Sequence, residues 1–184
     1  LHIWLPTAHP AAPAPASAVL SGVITKTGIY GVLVLSTTVF LHDKQWGMLL
    51  AVLGAVTMVL GAVLAVLSVD LKRTLACSSI SQIGFILVGT AMLCLLGEHN
   101  ALAVDGTILH ILNHSLIKMV LFPAAGIIHL TTHSFDLNDI RGFGRGKPLL
   151  ALVMGMPMLS LAGAPGLNGY VSKTLLHESI VEYI

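Results

Sequence analysis

The sequence predicts an all-α protein, a polytopic transmembrane helix bundle of about five spans whose last helix is broken in mid-membrane. Three observations carry that expectation. Hydrophobic residues make up 55% of the 184 and charged residues only 9%, whereas a soluble domain usually has about a quarter charged. Apolar runs of about 20 residues, the length that crosses a bilayer, recur down the chain. The run Gly163-Ala-Pro-Gly-Leu-Asn-Gly169 cuts the last of these with residues that do not sustain a helix.

The first span is expected from about Ala16 to Leu41, preceded by Pro10, Pro13 and Pro15, which suit an approach loop and a first helical turn, where no backbone N–H donor is needed. The second runs from about Gly47 to Val69 without a charge. Its Gly47, Gly54 and Gly61, with Ser68 next, recur every seven residues and predict a seam for close helix packing. The third runs from about Thr74 to Leu96 and opens on the polar patch Cys77-Ser-Ser-Ile-Ser-Gln82. The fourth runs from about Leu102 to Leu130, and Pro123 with Gly126 predicts an interruption. The fifth runs from about Pro148 to Ile184; as one helix it would be roughly 55 Å long, too long for a single crossing. A break at Gly163, Pro165, Gly166 and Gly169 resolves the excess. Such breaks mark ion paths in transporters.

Charge placement predicts orientation. Lys72 and Arg73 fall in one loop, and Arg141, Arg145 and Lys147 in another on the same side; Lys44 alone faces the opposite side. The basic side is expected to be cytoplasmic. The chain starts on a Pro-rich stretch without Met or signal peptide and reads as an internal piece. A net charge of +1 gives no footprint for nucleic acid. Cys77 and Cys94 would stand about 25 Å apart along one helix, too far for a disulfide.

Lysines inside apolar spans are the informative residues. Lys26 falls near the middle of the first span and Lys173 just after the break in the fifth. A charge there costs at least ~2.5–3.5 kcal/mol on insertion scales, which argues for function. Lys118 reads either as a further relay member or as a snorkelling side chain. His110, His114 and Lys118 recur every four residues and share one helix face, a row suited to passing protons. The same spacing suits zinc, but there is no HExxH and no third ligand, so no metal is expected. Neutral histidines that join helices are the other reading. Ser78, Ser81 and Gln82 either hold waters beside the lysines or bond neighbouring helices. Glu178 is either a counter-charge for Lys173 or a surface group. His129, His133, Asp136 and Asp139 read as solvated or capping residues.

These residues also carry a resemblance. His2-Ile-Trp-Leu-Pro-Thr-Ala-His9, followed by Ser21-Gly-Val-Ile-Thr-Lys-Thr-Gly-Ile-Tyr-Gly31, resembles the proton-conducting L, M and N-type subunits of complex I, Mrp antiporters and membrane-bound hydrogenases. Asp70-Leu-Lys-Arg-Thr-Leu-Ala-Cys-Ser-Ser-Ile-Ser-Gln-Ile-Gly84 resembles a second signature, His110-Ile-Leu-Asn-His-Ser-Leu-Ile-Lys118 a third, and Gly166-Leu-Asn-Gly-Tyr-Val-Ser-Lys173 a fourth. They cover nearly the whole chain in family order. Residues 139–148 and the stretch from Lys173 are most similar to bacterial hydrogenase-linked and Mrp-like members.

The resemblance implies that residues 1–184 are part of a proton-conducting membrane domain. It implies that Lys26 is the central lysine joining two half-channels, that His110 and His114 are relay histidines, and that Lys173 stands where the proton leaves. The family's input glutamate and its partner lysine would lie upstream of residue 1. The function expected is proton, Na⁺ or K⁺ translocation, as a subunit of a redox-driven complex of NADH-quinone oxidoreductase or hydrogenase type, or of an Mrp-type antiporter. The expected setting is the bacterial cytoplasmic membrane, with other membrane subunits and the rest of its own chain as partners. No cofactor and no redox or hydrolytic site are expected. The alternative is a non-conducting membrane anchor in the same kind of complex, which would gain nothing from buried lysines. An intramembrane hydrolase would need a nucleophile–base pair or a metal set, and the sequence shows neither.

Overall fold

The apolar runs become long helices, and the prolines and glycines decide where they start and stop. The structure, a computed structural model, describes residues 4–184, so His2 and Ile3 of the first signature lie outside the described residues. Trp4 leads into α1 (Leu5–Ala11), a short helix where the sequence predicts an approach loop. Pro6 occupies its first turn, where no amide donor is needed. The next helix starts behind Pro13 and runs as α2 (Ala14–Val19), one π-helical turn (Leu20–Ile24) and α3 (Thr25–Thr38), continuous enough to cross a membrane.

Asp43 caps α4 (Lys44–Val66), its Oδ1 accepting the backbone N–H of Gln45 at 2.8 Å. Asp70 caps α5 (Leu71–Leu95) in the same way through Arg73. These side chains satisfy amides that a helix start leaves orphaned. α6 (Ala101–Thr132) follows a tight 3₁₀ turn and ends on His133 in the left-handed region. α7 (Pro148–Ala162) and α8 (Asn168–Tyr183) are the two halves of the broken fifth span. The long helices of residues 14–38, α4, α5 and α6 are each apolar and long enough to cross a bilayer, and α7 is a shorter apolar helix.

Pro123 does not interrupt α6, contrary to the sequence-based expectation. The residues around it, Leu121, Phe122, Ala124 and Ala125, are all buried, and their packing holds the helix across one missing hydrogen bond. Gly126 marks a contact instead: a side chain there would run into Ala14.

The seam on α4 is present as expected. Gly47, Gly54 and Gly61 are buried against α5, which answers with Gly84. A Cβ on Gly84 would come within 2.5 Å of the Met58 backbone nitrogen, and one on Gly61 would overlap the backbone of Ser81. Only small residues allow two helices this close.

The loop after α6 folds back on the start of α5. The Leu71 amide donates to Phe135 O at 2.9 Å, and the Leu137 amide to Val69 O at 2.8 Å. The two basic loops therefore share one end of the bundle, as the charge pattern requires. Lys72, however, is a helix residue and not a loop one. It is only 3% exposed, gives its ammonium to Ala12 O at 2.7 Å, and lies over the Phe135 ring. Asp136 and Asp139 do cap the loop, accepting from Asn138 and Ser134.

Two apolar clusters sit at the ends of the bundle. Leu71, Leu75, Ile117, Leu121 and Phe122 belong to the one near the basic loops. Leu50, Ala91, Met92, Leu95 and Ala103 belong to the other. Between them α5 buries Ser79 and Gln82, and α6 buries His110, Asn113 and His114, so polar side chains enter the interior there.

Candidate proton-relay site

α6 supplies the spine of that polar middle. His110, Asn113, His114 and Lys118 are all buried, on the face turned toward α5 and α8. The i, i+4 spacing read from the sequence thus becomes a column inside the bundle. Lys118 stands at its loop-side end with no exposed surface, and its ammonium donates to Leu75 O at 2.7 Å and to Ser78 Oγ at 2.6 Å. It does not snorkel, because α5 holds the ammonium where it is.

At the other end of the column, His110 Nδ1 is 3.0 Å from Ser172 Oγ on α8. Its Nε2 has no partner, and His114 has none at either ring nitrogen. Gln82 Oε1 and Thr107 Oγ1 nearby are also unpartnered and buried. Buried polar atoms are normally satisfied, by water if not by protein. These imidazoles have no protein partner among the described residues, so water can complete their hydrogen bonding.

Lys26 enters from α3. It is buried, and its ammonium folds back to the carbonyl of Ser21 in the π-helical turn, which also accepts from Thr25 Oγ1 at 3.0 Å. The sequence points to water or another helix as its partner; the structure gives it a carbonyl of its own helix. The turn that provides this carbonyl also joins α5: Ser21 Oγ and Ser79 Oγ lie 2.7 Å apart, and Ser79 Oγ donates to Leu75 O at 3.0 Å. Leu75 O is the same carbonyl that Lys118 holds. Two serines thus connect the surroundings of Lys26 and Lys118. Their pairing spans 58 positions and has no local signature in the sequence. Ser78 contacts a lysine; Ser81 packs at the α4 seam opposite Gly61.

The break between α7 and α8 places the last lysine. Gly163 (φ +90°) and Gly166 (φ +88°) adopt the left-handed conformation that glycine tolerates. Residues 163–167 are non-helical, while Gly169 already belongs to α8, two positions inside the expected break. Continued helix would give Leu161 O a donor at residue 165, but Pro165 has no N–H. Lys173 fills that vacancy, its ammonium donating to Leu161 O at 2.6 Å. Asn113 donates to Asn168 O at 2.9 Å and Ser160 Oγ accepts from Gly169 N at 3.1 Å, so α6 and α7 both fix the break. Glu178 is exposed, which favours the surface reading over a counter-charge for Lys173.

The structure therefore buries Lys26, His110, His114 and Lys118 inside the bundle and places Lys173, half-buried, beside His110 across the Phe85 ring. Among the described residues no group of three or more His, Cys, Asp or Glu could hold a metal ion. Cys77 and Cys94 are buried free thiols.

Known proteins match this chain along nearly its whole length. The family model described as NADH:quinone oxidoreductase/Mrp antiporter, TM, matches residues 1–183. Hydrogenase-4 component B of Escherichia coli (strain K12) is 37% identical over 188 residues, covering 98% of this chain and 28% of that protein. NAD(P)H-quinone oxidoreductase chain 4 1 of Picosynechococcus sp. is 40% identical over 176 residues, covering 94% of this chain and 32% of that protein. A chain in the structure of the Mrp complex from Dietzia sp. DQ12-45-1b superposes with a TM-score of 0.90 at 29% identity, covering 98% of this chain and 33% of that one. The chain spans about a third of the length of these relatives. With four helices able to cross a bilayer and signatures in family order, it belongs to the transmembrane family of NADH:quinone oxidoreductase and Mrp antiporter subunits.

Proposed function

We propose that this chain carries the central part of an ion path, in which protons (or, in an antiporter, Na⁺ or K⁺ exchanged against them) move along Lys26, His114, His110 and Lys173, with Lys118 as a side member. The parent protein then acts as a translocating subunit of a redox-driven complex or an Mrp-type antiporter in the bacterial cytoplasmic membrane, with the basic loops facing the cytoplasm. The observation that carries the reading is the set of buried titratable side chains on α3 and α6, with the half-buried Lys173 on α8: lysines held by neutral acceptors, and histidine ring nitrogens without a protein partner among the described residues. A lysine bound only to a carbonyl keeps its ammonium without a counter-charge that would fix it, so a neighbouring charge can drive its proton off. Histidine titrates near neutral pH and can pass that proton on.

A non-conducting anchor would gain nothing from such lysines, since each costs free energy to bury. The test is Lys26→Ala in the full-length subunit within its assembled complex, reconstituted in vesicles and followed with a pH dye. Coupled translocation should fall to background while the complex assembles normally, and Lys44→Ala, at the start of α4, should pump like wild type. Wild-type pumping by assembled Lys26→Ala would support the anchor.

A further inference from the structure

On α5, Ser78 and Phe85 are seven residues apart and so share a face. Polar side chains dominate this stretch of the face, and Phe85 is the large apolar exception. Its ring touches both ends of the outer step of the path. Lys173 Nζ lies 4.9 Å from the ring centroid, and the His110 ring lies 5.8 Å away, tilted by 46°. Each neighbour's polar contacts point elsewhere: Lys173 gives a hydrogen bond to Leu161 O, and His110 Nδ1 meets Ser172. His110 Nε2 is buried without a partner. No direct hydrogen bond joins His110 to Lys173 among the described residues, so a proton crossing from one to the other needs water.

We propose that Phe85 is the gate of that step, an aromatic ring that keeps water from joining His110 to Lys173 and responds to the charge on Lys173. This rests on the relay reading given above and adds its control. A ring face attracts a cation and has no comparable attraction for a neutral amine. While Lys173 is an ammonium, Leu161 O anchors it over the ring and its charge holds the ring in place, and an apolar constriction of this kind stays dry. Once Lys173 has given up its proton, that attraction is gone and the ring can turn. Water then links the imidazole to the amine: His110 loses the proton on Nε2 and becomes neutral, and the Lys173 lone pair takes it up. The new ammonium restores the closed position. The path is then never open from end to end.

Phe85 is a positioning residue, and its signature is leak. The experiment uses the full-length subunit in its assembled complex in proteoliposomes, with passive proton flux under an imposed pH gradient measured beside coupled transport. Phe85→Ala should raise the passive leak several-fold and lower net coupling, and Phe85→Tyr, which keeps the ring face, should restore tightness. The leak of Phe85→Ala should disappear when Lys173→Ala is added, because the leak runs through that amine. If Phe85→Ala disrupts assembly, Phe85→Leu decides: it keeps bulk but loses the ring face, and should leak. A tight, fully coupled Phe85→Ala or Phe85→Leu overturns the gate, as does a leak that persists with Lys173→Ala, which would indicate loosened packing. Undiminished transport by Lys173→Ala alone would instead overturn the relay.

Discussion

The two sides of α5 solve opposite problems with the same backbone. Toward α4 the helix packs close: Gly84 meets the Met58 backbone, the Ser81 backbone meets Gly61, and the Val88 and Leu95 side chains fit over Gly54 and Gly47. Toward α3 and α6 it offers hydroxyls: Ser78 to Lys118, and Ser79 to Ser21. In lipid the first side gains from van der Waals contact, since no hydrophobic force separates a helix from acyl chains. The second side is polar, and histidine nitrogens facing it have no protein partner among the described residues. In the proposed path, close packing on one side would hold α5 in place beside the groups that pass protons on the other.

The largest effect expected from breaking this contrast is on the seam. Gly61→Leu should prevent assembly, because the atoms it would strike belong to the Ser81 backbone and cannot rotate away; overpacking a well-filled site commonly costs about 1–3 kcal/mol even where side chains can yield. A blue native gel of the complex reads this out, and normal assembly would show that α4 is free to shift. A smaller effect is expected on the polar side. Ser79→Ala removes the hydroxyl that bridges to Ser21, yet leaves room for water. Assembly should be unchanged and the initial rate of coupled transport should drop several-fold without vanishing. An unchanged rate would make the bridge incidental to the path.

The sequence exposed the features whose physics is local. Three glycines spaced by seven, a lysine inside an apolar run, and the Gly163-Ala-Pro-Gly166 interruption are each unusual enough in a membrane span to be informative alone. The seam and the break between α7 and α8 appear where those residues stand. What the sequence hid depends on long-range pairing. Burial of Lys118 requires Leu75 O and Ser78, more than forty positions away in the first case, so snorkelling was equally open. The Ser21–Ser79 contact and the placement of Phe85 over both His110 and Lys173 have no local signature. Proline misled at Pro123, which lies in a continuous helix because its neighbours are packed, and at Pro10, which sits inside α1; Pro13 and Pro15 stand at the start of α2, the first helical turn where proline is expected.

The central claim is that the buried lysines act by losing and regaining protons. The most direct measurement is coupled proton transport by Lys26→Arg in the full-length, assembled subunit. Arginine keeps the charge and the ability to donate to Ser21 O, but it does not release a proton at accessible pH. The account predicts normal assembly with transport close to background. Transport at the wild-type rate would contradict it, and would leave Lys26 as a fixed positive charge in the wall of the bundle.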